Sequence, residues 1–193
     1  MVPVHDWIVG ETIGSTTRGR RPEDELVVTV DEAGRPAGTM PKLAAHEGAG
    51  VLHRAFSVFL FDDDGRVLLQ RRADDKHHFR GRWSNTCCSH PLPGESVTEA
   101  ASRRLSEELG IEAEAREVGS FTYRAQDPDS GLVEVEFDHV LVGRHQGEIA
   151  PDPAEVGAVR WMDVDELRRT IATDPDAFTP WLPLALDVLD ANR

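Results

Sequence analysis

Several things are scarce in this 193-residue chain. It has only two cysteines, Cys87 and Cys88, and they are adjacent. Neighbouring Cα atoms sit about 3.8 Å apart, whereas a disulfide prefers about 5.5–6 Å, so the pair is no intramolecular staple. Basic residues are the minority: 21 Lys and Arg stand against 35 Asp and Glu, a net charge of −14. That balance argues against non-specific nucleic-acid binding, which needs a basic surface, but leaves room for a local cationic pocket. No apolar run reaches the roughly 18 residues of a membrane span. The start, MVPVHDWIVGETIG, lacks the basic and apolar regions of a secretory signal, so a cytoplasmic protein is expected. Nothing in the composition calls for an obligate interface, and a monomer is expected.

What remains is the composition of one globular domain. Residues 1–24 have no clear period and read as a loosely ordered N-terminal extension, with a single domain over 25–193. Two short strands flank a turn at Glu32-Ala33-Gly34-Arg35. HRAFSVFLF and RVLLQRR flank Asp62-Asp63-Asp64-Gly65 and read as the clearest hairpin. In GESVTEAASRRLSEELGI, Val97, Ala100, Ala101, Leu105 and Leu109 recur at helical spacing, and Gly110 ends the helix. VGSFTYRAQDP and GLVEVEFDHVLVG read as strands, AVRWMDVDELRRTIA as strand then helix, and FTPWLPLALDVLDANR as a last helix. Without regular βαβ alternation, this order predicts an α+β fold or an α/β/α sandwich with a mixed sheet.

Four groups of residues could carry chemistry, and each has a plainer structural explanation. Glu134 and Glu136 lie two apart in a strand and share a face; alone they read as the solvated side of a half-exposed strand. His46, His53 and His90 offer imidazoles, a common ligand type for zinc, manganese or iron, but no short metal-binding spacing. His5, His77, His78, His139 and His145 read as surface or structural residues. Cys88 and His90 flank Ser89 on what looks like a short exposed segment, where a thiol near a metal or cation acquires a lowered pKa; Cys87 reads as a core thiol. Lys42, Arg71, Arg72, Lys76 and Arg104 are scattered among acids and read as surface, or, if they converge, as a seat for a phosphate or diphosphate.

The helix narrows these alternatives. It resembles the Nudix signature Gx5Ex7REUxEExGU, with Glu95, Arg103, Leu105, Glu107, Glu108, Gly110 and Ile111 in register. Two positions depart from it: Arg104 stands where a Glu is expected, and Ser89 where the first Gly is expected. The resemblance implies a Nudix-type α/β/α sandwich. The cation at Arg104 weakens metal binding on this helix and favours holding a diphosphate over cutting it. A pyrophosphohydrolase and a catalytically silent binding module are the competing readings.

AAHEGAGVLHRAFSVFLF, QRRADDKHHFRGRWSNTCCSHP, GESVTEAASRRLSEELG, YRAQDP, GLVEVEFDHV and DAFTPW follow the order and spacing of the type I isopentenyl diphosphate isomerases. That resemblance covers about residues 25–190. It implies interconversion of isopentenyl and dimethylallyl diphosphate in isoprene biosynthesis, by protonation and deprotonation through a tertiary carbocation. It implies Cys88, Glu136 and Tyr123 as catalytic residues, with a carboxyl or phenol giving the proton and a Cys88 thiolate removing one. It implies His46, His53, His90, Glu134 and Glu136 around one divalent metal (Mn²⁺, Zn²⁺ or Mg²⁺). Glu108 then belongs to a second site for Mg²⁺ bound with diphosphate, and Lys42, Arg72, Lys76, Arg104 and Trp181 bind substrate. The family usually has Gly where Ser89 stands, and Ser is strained there if the position needs a positive φ. The partner implied is a small prenyl diphosphate, with neither nucleic acid nor membrane involved.

Overall fold

The computed structural model describes residues 25–192; the expected extension over 1–24, with His5, lies outside them. Strands β1 (Leu26–Val30) and β2 (Pro36–Pro41) form the first hairpin, and a five-residue helix α1 (Lys42–His46) follows directly. Then come β3 (His53–Phe61), β4 (Val67–Arg72), β5 (Trp83–Ser84) and β6 (Cys87–Ser89). Helix α2 (Val97–Leu109), the long strands β7 (Ala115–Gln126) and β8 (Val133–Arg144), β9 (Val156–Met162), α3 (Val164–Thr173) and α4 (Trp181–Ala191) complete the chain.

Strand β3 organises the sheet. Along one edge it pairs in parallel with β8 from His53↔Glu136 to Phe61↔Arg144. Three partners share the rest of its pairing, all antiparallel: β1 at His53, β6 at Phe56–Val58 and β4 at Phe61. The expected β3–β4 hairpin is therefore joined at one residue pair and then splays, β4 running on with β9 and β5. Polar side chains fill the divergence. Thr86 Oγ1 donates to the Leu68 carbonyl at 2.6 Å and accepts from the Leu60 amide at 2.9 Å, and Asn85 Nδ2 donates to the carbonyls of Val58 and Cys87. These bonds satisfy backbone groups that an opened ladder leaves without partners. They also bury Ser84, Asn85, Thr86 and Cys87 completely. The expectation of a short exposed segment at 82–91 is corrected here: its middle is a polar plug in the core.

Alternation along β3 gives each face a helix layer. Phe56, Val58 and Leu60 meet Ala100, Ala101, Leu105 and Leu109 of α2. Phe59 and Phe61 meet Leu167 of α3 and Leu182, Ala185, Leu186 and Leu189 of α4. The result is a mixed sheet between helices, the α/β/α arrangement that the element order predicts. Helix α2 starts at a capping box, Ser96 with Glu99, and ends at Gly110 in the left-handed region (φ 64°).

Candidate active site

The candidate site residues meet because β3, β6, β7 and β8 run side by side. On β8 the alternation puts Glu134, Glu136 and Asp138 on one face, all nearly inaccessible to solvent. The carboxylate face is thus buried, not solvated. His53 opens β3 opposite Glu136, Tyr123 is the cross-strand partner of Glu136 from β7, and His90 follows β6 directly. His46 ends α1, which drops from β2 onto β8.

His46, His53, His90, Glu134 and Glu136 each present one ligand atom, and all five atoms lie within 4.8 Å of one another. Hydrogen bonds set the state of two rings. His46 Nδ1 lies 2.6 Å from the Lys42 carbonyl and His53 Nδ1 2.7 Å from the Val51 carbonyl. A carbonyl only accepts, so both Nδ1 atoms carry hydrogen and both Nε2 atoms point inward. There His53 Nε2 faces His90 Nε2 at 3.0 Å, and His46 Nε2 faces Glu134 Oε2 at 2.9 Å. Ring nitrogens and carboxylate oxygens packed this closely need a positive centre among them, a proton or a cation. Burial drives the His90 pKa down to about 3, leaving it neutral, the form in which imidazole binds metal. Burial would raise Glu134, but His78 and His46 outweigh it and hold this carboxyl well below the ordinary range. Three imidazoles and two ionised carboxylates with backbone-anchored rings fit a divalent metal centre.

His78, read from the sequence as a surface or structural residue, belongs to this cluster. Its Nε2 lies 2.5 Å from Glu134 Oε1, and its ring stacks on His46 with centroids 5.2 Å apart. Arg72 fastens the His78 backbone, donating from Nε and Nη2 to its carbonyl at 3.3 and 3.0 Å. The next residue, Phe79, is the one non-glycine with positive φ (48°) among the described residues, and it packs edge-on against Trp181. A bulky residue in that region is strained and persists only where its surroundings enforce it. Ser89, by contrast, has a negative φ within β6, so the strain considered for a residue replacing Gly does not arise.

Beside the cluster lies a cavity of about 310 Å³. Cys88, Tyr123, Glu136 and Trp181 open onto it together with Lys42, Arg72, Lys76 and Arg104. Tyr123 Oη donates to Glu136 Oε2 at 2.6 Å. Cys88 Sγ lies 3.8 Å from Ser84 Oγ and 3.9 Å from Arg72 Nη1. Burial pushes its thiol up to about 12 despite the Arg72 guanidinium beside it. Trp181 Nε1 donates to Ser84 Oγ and Asn85 Oδ1, which fixes the ring, and the Arg72 guanidinium carbon lies 5.6 Å from the ring centroid.

Two expected site residues stand back from the cavity wall. His53 is fully buried behind it. Glu108 lies outside the metal cluster, with Oε1 held by Arg104 at 2.6 and 3.0 Å and Oε2 by Gln70 at 3.1 Å. A carboxylate offers about four lone-pair positions, so Glu108 keeps acceptor capacity beside these donors. Arg103, the neighbouring arginine, turns away to make a two-pronged pair with Glu95.

This fold and helix define the class. The NUDIX domain profile matches residues 51–182, and the chain belongs to that family. Solved structures agree on the fold: DR0079 from Deinococcus radiodurans superposes with a TM-score of 0.69 at 22% identity, covering 88% of this chain and all of that one. The MutT protein from Methanosarcina mazei gives 0.59 at 16% identity, covering 74% and 96%. Within the family the position is narrower. The isopentenyl-diphosphate Delta-isomerase of Nocardia farcinica is 54% identical over 86% of this chain and 94% of its own length. That of Halorhodospira halophila is 51% identical over 81% and 90%. The chain is a member of the type I isopentenyl-diphosphate Delta-isomerase family.

Proposed function

We propose that this protein interconverts isopentenyl and dimethylallyl diphosphate, with Cys88 and the Tyr123–Glu136 pair as its proton-transfer groups. The observation that carries the reading is their meeting: a thiol and a phenol-bonded carboxylate open into one cavity, beside the four other residues of a cluster that could hold a metal and an immobilised tryptophan. Hydrolysis needs no such set.

The allylic C–H of the substrate is too weakly acidic for a side chain to remove directly. Adding a proton to the terminal alkene carbon gives a tertiary cation, and loss of a proton from the carbon on the other side places the double bond internally. One group therefore gives a proton and another takes one, and the reverse reaction exchanges their roles. In the protein alone the sulfur of Cys88 holds its proton, while hydrogen bonds from His53 and His90 keep Glu136 below the ordinary carboxylate range against burial and Glu134. Cys88 and the Tyr123-bonded Glu136 are the two groups that give and take the proton, and the direction of isomerisation decides which does which. The Trp181 face suits a positive carbon, as its contact with Arg72 supports. Trp181, Phe79 and Tyr123 keep the reacting end apolar, which protects a cation from capture by water.

His46, His53, His90, Glu134 and Glu136 would hold one divalent ion, Mn²⁺, Zn²⁺ or Mg²⁺, which when bound supplies positive charge beside Glu136. Mg²⁺ would accompany the diphosphate, with Glu108 toward it and Lys42, Arg72, Lys76 and Arg104 as further charge partners. The reading includes a single chain working in the cytoplasm on a small diffusible substrate, without nucleic acid or membrane.

Proton and phosphorus NMR of metal-loaded protein with isopentenyl diphosphate and Mg²⁺ in D₂O tests this. The expected result is dimethylallyl diphosphate with solvent deuterium in its carbon skeleton. Release of phosphate without isomerisation would turn the reading to a pyrophosphohydrolase, and no change at all to a silent binding module.

A further inference from the structure

The cations of the cavity are already engaged. Lys42 Nζ lies 2.9 Å from Glu25, Arg104 is held by Glu108, and Lys76 and Arg104 share one further carboxylate, Glu155. Glu155 bonds Lys76 Nζ closely and lies 3.3 Å from Arg104 Nη2 through the same oxygen, Oε2. It lines the cavity, and no signature or family segment of the sequence singles it out.

Its place is built. The Glu155 amide donates to the Asp152 carbonyl at 2.9 Å, and the Asp152 amide donates to the carbonyl of Glu108 on α2, also at 2.9 Å. From the other side, the Ala73 amide donates to the Glu155 carbonyl at 3.1 Å and anchors the loop that carries Lys76. The Glu155 backbone is thus tied both to the helix of Arg104 and to the loop of Lys76. Burial would raise its pKa, but Lys76 and Arg104 bring it down to about 2, so it is ionised throughout the neutral range.

We propose that Glu155 is an internal counter-ion of the diphosphate seat, one that an incoming diphosphate has to displace. The proposal rests on the function proposed above, because it needs the seat to receive a diphosphate. Four cations, Lys42, Arg72, Lys76 and Arg104, share the seat with Glu25, Asp75 and Glu155 on its wall and Glu108 behind Arg104, which leaves it near neutral. A diphosphate carries about three negative charges at neutral pH. The seat therefore disfavours the bare anion and accepts it together with a divalent cation, and the like charge of Glu155 is one cause of that selectivity. Phosphate oxygens take over Lys76 and Arg104 by charge-assisted hydrogen bonds once Glu155 lets go.

The test is calorimetric titration of inorganic pyrophosphate into protein loaded with one equivalent of Mn²⁺, with and without added Mg²⁺. Wild type, Glu155→Gln, Glu155→Ala and the charge control Glu166→Gln on α3 are compared, each checked for fold by near-UV circular dichroism. Expected is at least tenfold tighter binding without Mg²⁺ in both Glu155 variants, a smaller gain on adding Mg²⁺, and wild-type behaviour in Glu166→Gln. The conservative Glu155→Gln and the truncated Glu155→Ala guard against a folding failure in either one. Unchanged affinities in the Glu155 variants overturn the counter-ion role while leaving the seat intact. Weaker binding in the presence of Mg²⁺ overturns it in favour of a cation-ligating carboxylate. Absence of pyrophosphate binding in every protein overturns the seat itself, and with it the function on which the proposal rests.

Discussion

Tyr123 and Glu136 are cross-strand partners on β7 and β8, and the phenol donates a 2.6 Å hydrogen bond to the carboxylate. The register of two long antiparallel strands therefore sets which oxygen of Glu136 is tied to Tyr123 and which faces His90 at 2.8 Å. Tyr123 is the sole tyrosine in the chain, so its removal can be read without interference.

Tyr123→Phe keeps the ring stacked on Phe121 and deletes only the donor. A positioned proton-transfer group contributes about 10²–10⁴-fold. The expected outcome is a fall in kcat of about 10²-fold or more, with KM within about threefold of wild type. Steady-state isomerisation kinetics check it, and an unchanged kcat would remove Tyr123 from the chemistry.

The two cysteines part company. Cys88→Ala is expected to lower turnover by at least 10³-fold with little loss of stability, since Cys88 borders a cavity. Cys87 is fully buried against α2, so Cys87→Ala leaves a void and costs roughly 1–2 kcal/mol of stability while keeping most activity. Denaturant melts alongside kinetics separate the two, and equal loss of activity in both would refute the division.

His78 holds one oxygen of Glu134 while His46 holds the other. Partners that orient a ligating carboxylate are worth about 10–100-fold in metal affinity. His78→Ala is expected to weaken Mn²⁺ binding by that factor, and Glu134→Gln to lower the metal content of purified protein further. Metal titration followed by electron paramagnetic resonance reads both effects without reference to turnover.

Glu155 gives a pH signature. Its pKa is depressed in the folded protein from 4.5 to about 2. A depressed carboxylate stabilises the fold above its unfolded pKa, and the stabilisation fades as pH falls from about 4.5 toward 2. By the conversion of pKa shift to free energy this amounts to at most roughly 3 kcal/mol, shared with Lys76 and Arg104. Glu155→Gln is expected to show a flatter loss of stability across that acid window, measured by urea unfolding at a series of pH values. An identical slope would mean that the carboxylate gains nothing from its two cations.

Sequence alone determined the elements whose signals are local and periodic. Helix α2 is legible because apolar residues recur every third or fourth position between Ser96 and Gly110, and Glu134 with Glu136 is legible because strands alternate. Six segments in a fixed order then pointed to the family. The tertiary structure decided the rest. Parallel pairing of β3 with β8 joins residues about 80 apart in the chain, and no local pattern encodes a choice of partner across that distance. That pairing buries the carboxylate face and turns a set of unremarkable histidines into one cluster. The opening of β3 from β4 draws Ser84–Cys87 inward to satisfy backbone groups, a demand visible only once both strands are placed. His78 and Glu155 sit in loops, where side-chain direction has no period. Arg72 and the Ala73 amide aim them, one at the metal-ligating cluster and one at the cations, and those contacts exist only in the folded chain.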